Sequence, residues 1–497
     1  MAHTFRLHNT LTRRTEPLKL IEPDHLRIYG CGPTVYSHAH IGNFRSFLTA
    51  DLIVRTAKAL NWRVTYVTNI TDVGHLTGDD TIDPSGEDRM ARAISSQQGK
   101  RFANVWDLAR YFTEELLTDW RTLNLLEPAV RPRATEHVGE QIRAVEALIA
   151  RGLAYETSQA VYFAVPDFAG YGKLSGNTDS AALTQAVRDV VVDPQKRDPR
   201  DFALWKKDPD HLMQWHSPWG WGFPGWHIEC SVMAQTYLGP SIDLHTGGED
   251  LIFPHHECEI AQAEGLCGEP FARYWVHTRF LQVEGRKMSK RLGNFHTVRE
   301  LIQEHKVHPL ALRLALISGQ YRKPFNFTLT TLRDCERLVH RFADAWTVAA
   351  EGVSRAAEGP DELGESLNSV YEAALGAMLD DLNTPVAIAK TLEGTKLIRT
   401  YRNKLSLDSA RSATTFLSRI EDLLGVIQGA KVEETSDGES TAREPDLHIT
   451  TLVAERAAAR RARNWARADA IRDELQALGI TLKDSPEGTT WQKKSTL

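Results

Sequence analysis

The chain is poor in cysteine, has no long apolar run and carries no excess of positive charge, and each shortage removes a class of protein. Five cysteines in 497 residues are too few and too scattered for the disulfide framework of a small secreted domain. The sequence contains no stretch of roughly 18 uncharged apolar residues, so a membrane-spanning helix is not expected. The opening M-A-H-T-F-R-L-H-N lacks the apolar core of a secretory signal, and a cytoplasmic location is the expectation. A net charge of −6 argues against an indiscriminate electrostatic binder of nucleic acid. Any RNA partner would have to be met by local basic faces. Candidates are R-D-P-R (197–200) with Lys206 and Lys207, and the arginine-rich stretch 456–472.

What is present is the composition of an ordinary globular protein, 42% apolar and 25% charged. The length suits about three domains of about 150 residues. Leu26 and Ile28 alternate with polar neighbours and run into G-C-G-P, a strand entering a turn. Phe44, Leu48 and Leu52 then recur every four residues, as on one face of a helix. Trp62, Val64 and Tyr66 alternate again. This strand–helix–strand order predicts the start of a parallel sheet, with a ligand crevice at the carboxyl end of its first strand. Residues 87–150 read as helical, 153–215 as an irregular insertion and 296–428 as mainly helical. The small, acidic run 430–446 reads as a linker.

Two short runs carry the composition of a phosphate clamp. In S-H-A-H-I-G-N (37–43), His40, Gly42 and Asn43 sit where a helix opens, and free backbone N–H groups there favour an anion. About 250 residues later, K-M-S-K-R-L-G-N (287–294) places Lys287 and Lys290 on a loop closed by Gly293. A third cluster has the chemistry of a metal site. His255 and Glu259, four apart in F-P-H-H-E-C-E, share a helix face, while Cys230 and Cys31 supply thiols from distant segments. Thiolate, imidazole and carboxylate together suit Zn²⁺. A helix-face ion pair beside two buried thiols satisfies the same spacing. Cys258 competes with Cys230 as a ligand but points off the His255–Glu259 face.

The two clamp runs resemble the HIGH and KMSKS signatures of class I aminoacyl-tRNA synthetases. C-G-P-T-V-Y…H-I-G-N, P-G-W-H-I-E-C-S, F-P-H-H-E-x-E and K-M-S-K-x-L-G-N, in that order, are similar to the cysteinyl-tRNA synthetase family within that class. Further matches are N-I-T-D (69–72), R-D-P-R-D-F-A-L-W-K (197–206), L-N-T-P (382–385) and the closing W-A-R-A-D-A-I-R-D-E-L…G-T-T-W. The resemblance implies an α/β fold: a Rossmann-like parallel-sheet catalytic domain with an insertion, then a helical domain and a small C-terminal anticodon-binding α/β unit. The expected boundaries are 1–125 and 216–300 for the two halves of the catalytic domain and 126–215 for the connective insertion. A tRNA-binding helical region is expected at 301–429, the linker at 430–446 and the terminal unit at 447–497.

The implied activity is ATP-dependent formation of cysteinyl-adenylate and transfer to the 3′ end of tRNA(Cys), by a cytoplasmic monomer. The partners are then L-cysteine, ATP and tRNA(Cys), with no membrane, and the cofactors one Zn²⁺ per subunit and Mg²⁺ with ATP. By the same resemblance Cys31, Cys230, His255 and Glu259 hold the zinc, which selects the substrate thiolate against serine; its sulfur enters as a fifth ligand, which the resemblance favours, or displaces one of the four. His40, Asn43, Lys287 and Lys290 stabilise phosphate charge, with Gly42, Gly247 and Gly248 also at the nucleotide. Thr71, Trp226, His245 and Asp250 surround the amino acid, Asp250 as partner of the α-ammonium. Two positions depart from the pattern: Arg291 replaces the usual serine, and Asn43 replaces a histidine, its amide still able to donate to phosphate. Trp465 and Arg460, Arg461, Arg463 and Arg467 are candidates for steadying unpaired bases. The rival readings are a cysteine ligase of mycothiol biosynthesis, which shares only the core, and a non-catalytic RNA-binding paralogue.

Overall fold

The computed structural model describes residues 4–73, 88–97, 99–177, 193–288, 294–427, 452, 456, 465–477, 480–485 and 488–493. The chain divides into two compact units, Met1–Lys431 and Val432–Leu497. Among the described residues no helix is long and apolar enough to cross a membrane.

The first unit opens with a short hairpin of β1 (Arg6–Asn9) and β2 (Arg14–Pro17), followed by β3 (His25–Gly30), the helix Ile41–Ala59 and β4 (Arg63–Thr68). Strands β3 and β4 run parallel in full register from His25↔Arg63 to Gly30↔Thr68. The Ile41–Ala59 helix buries Phe44, Leu48 and Leu52 as its period predicts, and also Arg45, Asp51 and Arg55 on the opposite side. It is therefore enclosed all round rather than amphipathic. Asp51 and Arg55 are satisfied within the unit. Asp51 takes Arg55 Nε at 2.8 Å and Arg313 Nη2 at 2.5 Å, and the two guanidinium groups also donate to carbonyls of Asn124, Glu421 and Leu424.

The connection from β4 carries helices Arg89–Ser95, Val105–Thr122 and Val138–Ala150, then β5 (Ala154–Glu156), β6 (Ala160–Phe163), β7 (Phe202–Lys207), β8 (Trp215–Ser217) and β9 (Gly220–Pro224). These five strands form one antiparallel sheet in the order β5-β6-β7-β9-β8. The irregular insertion expected at 153–215 is thus a sheet, and it runs on to Pro224. A-V-Y-F is buried at every position. A strand buried on both faces shows no alternation, which is why the sequence concealed it.

The chain then returns to the core through the helix Trp226–Leu238, β10 (Ile242–Gly248), the helix Glu257–Cys267 and β11 (Ala272–Thr278). The central sheet has the order β11-β10-β3-β4 with all pairings parallel. Strand order reverses between β3 and β10, the position where open parallel sheets leave a crevice at their carboxyl ends. Three short strands, β12 (Leu281–Val283), β13 (Arg286–Lys287) and β14 (Phe325–Phe327), make a separate small sheet beside it. Helices Leu329–Arg355, Gly364–Leu379, Thr384–Thr400 and Leu407–Leu424 complete the unit, as the helical pattern of 296–428 predicts. In the second unit the helix Trp465–Ala477 precedes an antiparallel pair, β15 (Ile480–Ser485) and β16 (Gly488–Lys493). The expected linker, 430–446, lies outside the described residues.

Candidate active site and metal centre

A cleft of about 760 Å³ opens at the carboxyl ends of β3 and β10. Cys31 and His255 lie on its floor, His40, Gly42 and Asn43 on one wall, and Lys287, Met288 and Phe295 on another. Residues of all three sequence signals therefore meet here, drawn from segments far apart in the chain. Lys290 and Arg291 lie outside the described residues.

His40 is the N-cap of the Ile41–Ala59 helix, its backbone extended at φ −93°, ψ 166°. Its Nδ1 accepts the Asn43 backbone N–H at 3.1 Å, and Asn43 Oδ1 accepts the His40 N–H at 3.1 Å. This reciprocal cap fixes the ring. A neutral His40 then carries its proton on Nε2, a donor set at the positive end of the helix dipole. The Asn43 oxygen, and not its NH₂ group, takes part in the cap. Gly42 is required by close approach: a Cβ there would stand 2.9 Å from the His40 ring.

The metal candidates converge. One ligand atom each from Cys31, Cys230, His255 and Glu259 can be chosen so that all lie within 4.8 Å of one another, and all four residues are buried. Cys31 Sγ stands 3.9 Å from Cys230 Sγ and 3.4 Å from Glu259 Oε1, and His255 Nε2 stands 3.0 Å from the same oxygen. A tetrahedral cation holding sulfur at about 2.3 Å and nitrogen or oxygen at about 2.0 Å would separate those pairs by about 3.8, 3.5 and 3.3 Å. The side chains fit such an ion with shifts of a few tenths of an ångström.

The electrostatics agree. Burial and the neighbouring Cys230 sulfur push the Cys31 thiol well above its usual range, whereas the bond from Cys31 pulls the Cys230 thiol down. Burial would lower His255, but the Glu259 carboxylate and Cys230 outweigh it and raise the imidazole to about 10. Burial would raise Glu259, yet His245 and His255 hold it down at about 2. The cluster is built around charge that wants a positive partner.

A second set, Cys31, His245, His256 and Glu259, is also close enough to hold an ion. It lies deeper, since His245 and His256 are fully buried and neither lines the cleft. Both have other partners. His245 Nε2 bonds Glu259 Oε2 at 2.9 Å and its ring stacks on Trp275 at 4.5 Å. His256 Nδ1 meets His277 Nε2 at 2.8 Å, and His277 Nδ1 meets Thr10 Oγ1 at 2.7 Å. We therefore assign the first set as the candidate ligands, with His245 fixing the Glu259 carboxylate from behind. His227 Nδ1 meets His255 Nδ1 at 2.9 Å and fixes that ring in the same way.

Of the residues expected around an amino acid, Trp226 and Asp250 line the cleft, and the Trp226 ring lies 4.4 Å from His255. His245 and Thr71 do not. Thr71 is buried and accepts Asn69 Nδ2 at 2.9 Å, while Asn69 Oδ1 accepts the Gly32 N–H. Gly248 lines the cleft, whereas Gly247 is held by packing, because a Cβ there would stand 2.7 Å from the His256 ring. Cys258 is buried on another face beside Tyr171. His227, His256 and His277 were missed; the only signal was the density of histidine in W-H-I-E-C, F-P-H-H and V-H-T. The basic candidates at 197–207 are internally satisfied: Arg200 pairs with Asp198, Lys207 with Glu156, and Arg197 lies over the Tyr155 ring.

Comparison with known proteins extends the picture. Residues 17–337 match the model of the class I (C) tRNA synthetase catalytic domain, 375–428 that of the DALR domain, and 444–491 that of the cysteinyl-tRNA ligase anticodon binding domain. A cysteine–tRNA ligase of Salinibacter ruber is 57% identical over 99% of this chain and 98% of its own length. Those of Rhodospirillum rubrum and Thermus thermophilus are 43% and 39% identical, over 99% and 98% of this chain and 100% and 98% of their own. Among solved structures, a Mycobacterium tuberculosis methionyl-tRNA synthetase bound to methionyl-adenylate shares the fold, with TM-score 0.56 over 81% of this chain and 92% of that one at 13% identity.

Proposed function

Since the chain belongs to the cysteine–tRNA ligase family of class I tRNA synthetases, we propose that it activates cysteine with ATP and transfers it to the 3′ end of tRNA(Cys). The observation that carries the reading is the convergence of two thiols, an imidazole and a carboxylate, of which Cys31 and His255 reach the cleft that the His40-capped helix also lines. The mycothiol ligase is not favoured, because the matches continue past the core to residue 491. A binding-only paralogue would have no use for the metal donors or the His40 cap.

In this reading Cys31, Cys230, His255 and Glu259 hold zinc. Bound there, zinc supplies a soft Lewis acid that prefers a thiolate to a neutral hydroxyl. That preference is needed because a shaped pocket alone separates near-isosteres by only about 1–3 kcal/mol. Trp226 closes the pocket against bulk, and Asp250 offers a carboxylate to the α-ammonium. His40 Nε2–H, the helix N-terminus, Lys287 and Lys290 stabilise charge on the phosphates during in-line displacement, with Mg²⁺ accompanying ATP. No side chain serves as nucleophile. Thr71, through Asn69, holds the Gly32 backbone beside Cys31. His245 acts on Glu259 rather than on substrate.

The 444–491 segment supplies anticodon contacts, Arg467 and Trp465 among the candidates, and the enzyme works as a cytoplasmic monomer. Cysteine-dependent pyrophosphate exchange together with charging of tRNA(Cys) tests the function; exchange without charging would overturn it. Light scattering tests the oligomeric state.

A further inference from the structure

Two residues before Glu259, on the other side of the same helix turn, lies a second carboxylate with no place in the chemistry above. Glu257 is fully buried and makes no ion pair among the described residues. Its partners are backbone N–H groups of one loop in the insertion: Gly172 at 2.9 Å and Leu174 at 3.5 Å on Oε1, and Ser175 at 2.7 Å on Oε2. Gly172 and Gly176 take left-handed backbone there, φ 91° and 80°. A buried charge is tolerated when its lone pairs are filled in this way, and such bonds to an ionised acceptor are about twice as strong as neutral ones.

The loop grips the helix at two further points. Tyr171 Oη lies 3.6 Å from Cys258 Sγ, and Lys173 Nζ lies 2.5 Å from Glu264 Oε2. Next to Lys173, Leu174 is buried in the apolar cluster that contains Cys31 and Cys230. A grip is needed here because the turn before the helix is irregular. Residues Ile252–His256 form a widened turn, and Phe253 has strand-like angles, φ −141° and ψ 132°. Regular helical spacing therefore does not by itself fix His255 over Glu259.

We propose that Glu257 is a positioning residue: held by the 171–176 loop, it sets the relative placement of His255 and Glu259, and so the tightness of the metal site and its selectivity for sulfur. The inference rests on the zinc reading of the four ligands. It assigns the insertion a role in amino-acid selection, since residues 171–176 precede β7 of the antiparallel sheet.

The test compares wild type, Glu257→Gln and Lys173→Met, each loaded with zinc. Rate of zinc release to a chromogenic chelator, KM for cysteine and KM for ATP are measured, with circular dichroism as the check of folding. Gln at 257 turns an NH₂ group toward backbone donors. Zinc release and KM for cysteine should each rise about tenfold, with KM for ATP nearly constant. Lys173→Met changes a side chain at the surface and should move the same two readouts in the same direction by a few-fold. Wild-type zinc release and KM for cysteine in a folded Glu257→Gln would overturn the proposal. So would their constancy in Lys173→Met should Glu257→Gln not fold. A wild type that binds no zinc would instead overturn the zinc reading itself.

Discussion

The Sγ atoms of Cys31 and Cys230 stand 3.9 Å apart although 199 residues separate them in sequence. That separation is too long for a bond between the sulfurs and right for two ligands of one tetrahedral ion. Cys230→Ser keeps the volume and removes the soft donor. Bound zinc and cysteine-dependent pyrophosphate exchange should both fall at least about tenfold. Chelation of the wild type should abolish exchange, and added zinc should restore it. Full activity in a metal-free preparation would refute the assignment.

His40 caps the helix and, in the proposed function, also serves the phosphates. His40→Ala should lower kcat for adenylate formation by roughly 10²–10³-fold, the scale of losing one fixed donor at developing charge. KM for cysteine should hardly move, because the ring is not on the pocket floor. Loss of the cap should cost about 1 kcal/mol in urea unfolding. A fall in KM-controlled steps alone would contradict the role.

Asp51 predicts a pH dependence of stability. Burial would raise its carboxyl, but Arg55 and Arg313 outweigh that and hold it below the usual range. A depressed folded value stabilises above the unfolded value of about 3.9 and is lost as pH falls through the folded one. Asp51→Asn leaves Arg313 buried without its counter-charge and should cost about 3–5 kcal/mol at pH 7. The gap between variant and wild type in thermal or urea unfolding should narrow below about pH 4. A gap constant to pH 2.5 would show that charge is not the cause.

Trp226 walls the pocket 4.4 Å from His255. Trp226→Ala should raise kcat/KM for a substrate one methylene longer than cysteine, relative to cysteine, by about 10-fold or more. Discrimination against serine should persist, because the proposed function assigns it to the four metal ligands. Equal loss against both competitors would assign selection to shape instead.

Much of this was legible in the residues. The period of Phe44, Leu48 and Leu52 gave the helix, and the four-residue spacing of His255 and Glu259 pointed to their meeting, although His255 lies in the irregular turn Ile252–His256 and not on the regular helix. Pairing those two with particular cysteines was not legible from spacing, since nothing local binds Cys31 to Cys230; the family resemblance supplied it. His245 was expected beside substrate, yet sits behind Glu259, because a motif reports proximity to a site and not the direction of a side chain. The insertion's sheet was hidden by continuous apolar strands and by Gly-rich W-G-W-G-F, where β9 passes close to β7.

During synthesis Cys31 leaves the ribosome long before Cys230, His255 and Glu259 exist. An ion cannot be held by a thiol waiting alone, so metallation waits until the chain has been made through Glu259, about half of its 497 residues. Products that stop before Glu259 would lack the complete ligand set, whereas those that stop later would carry all four donors.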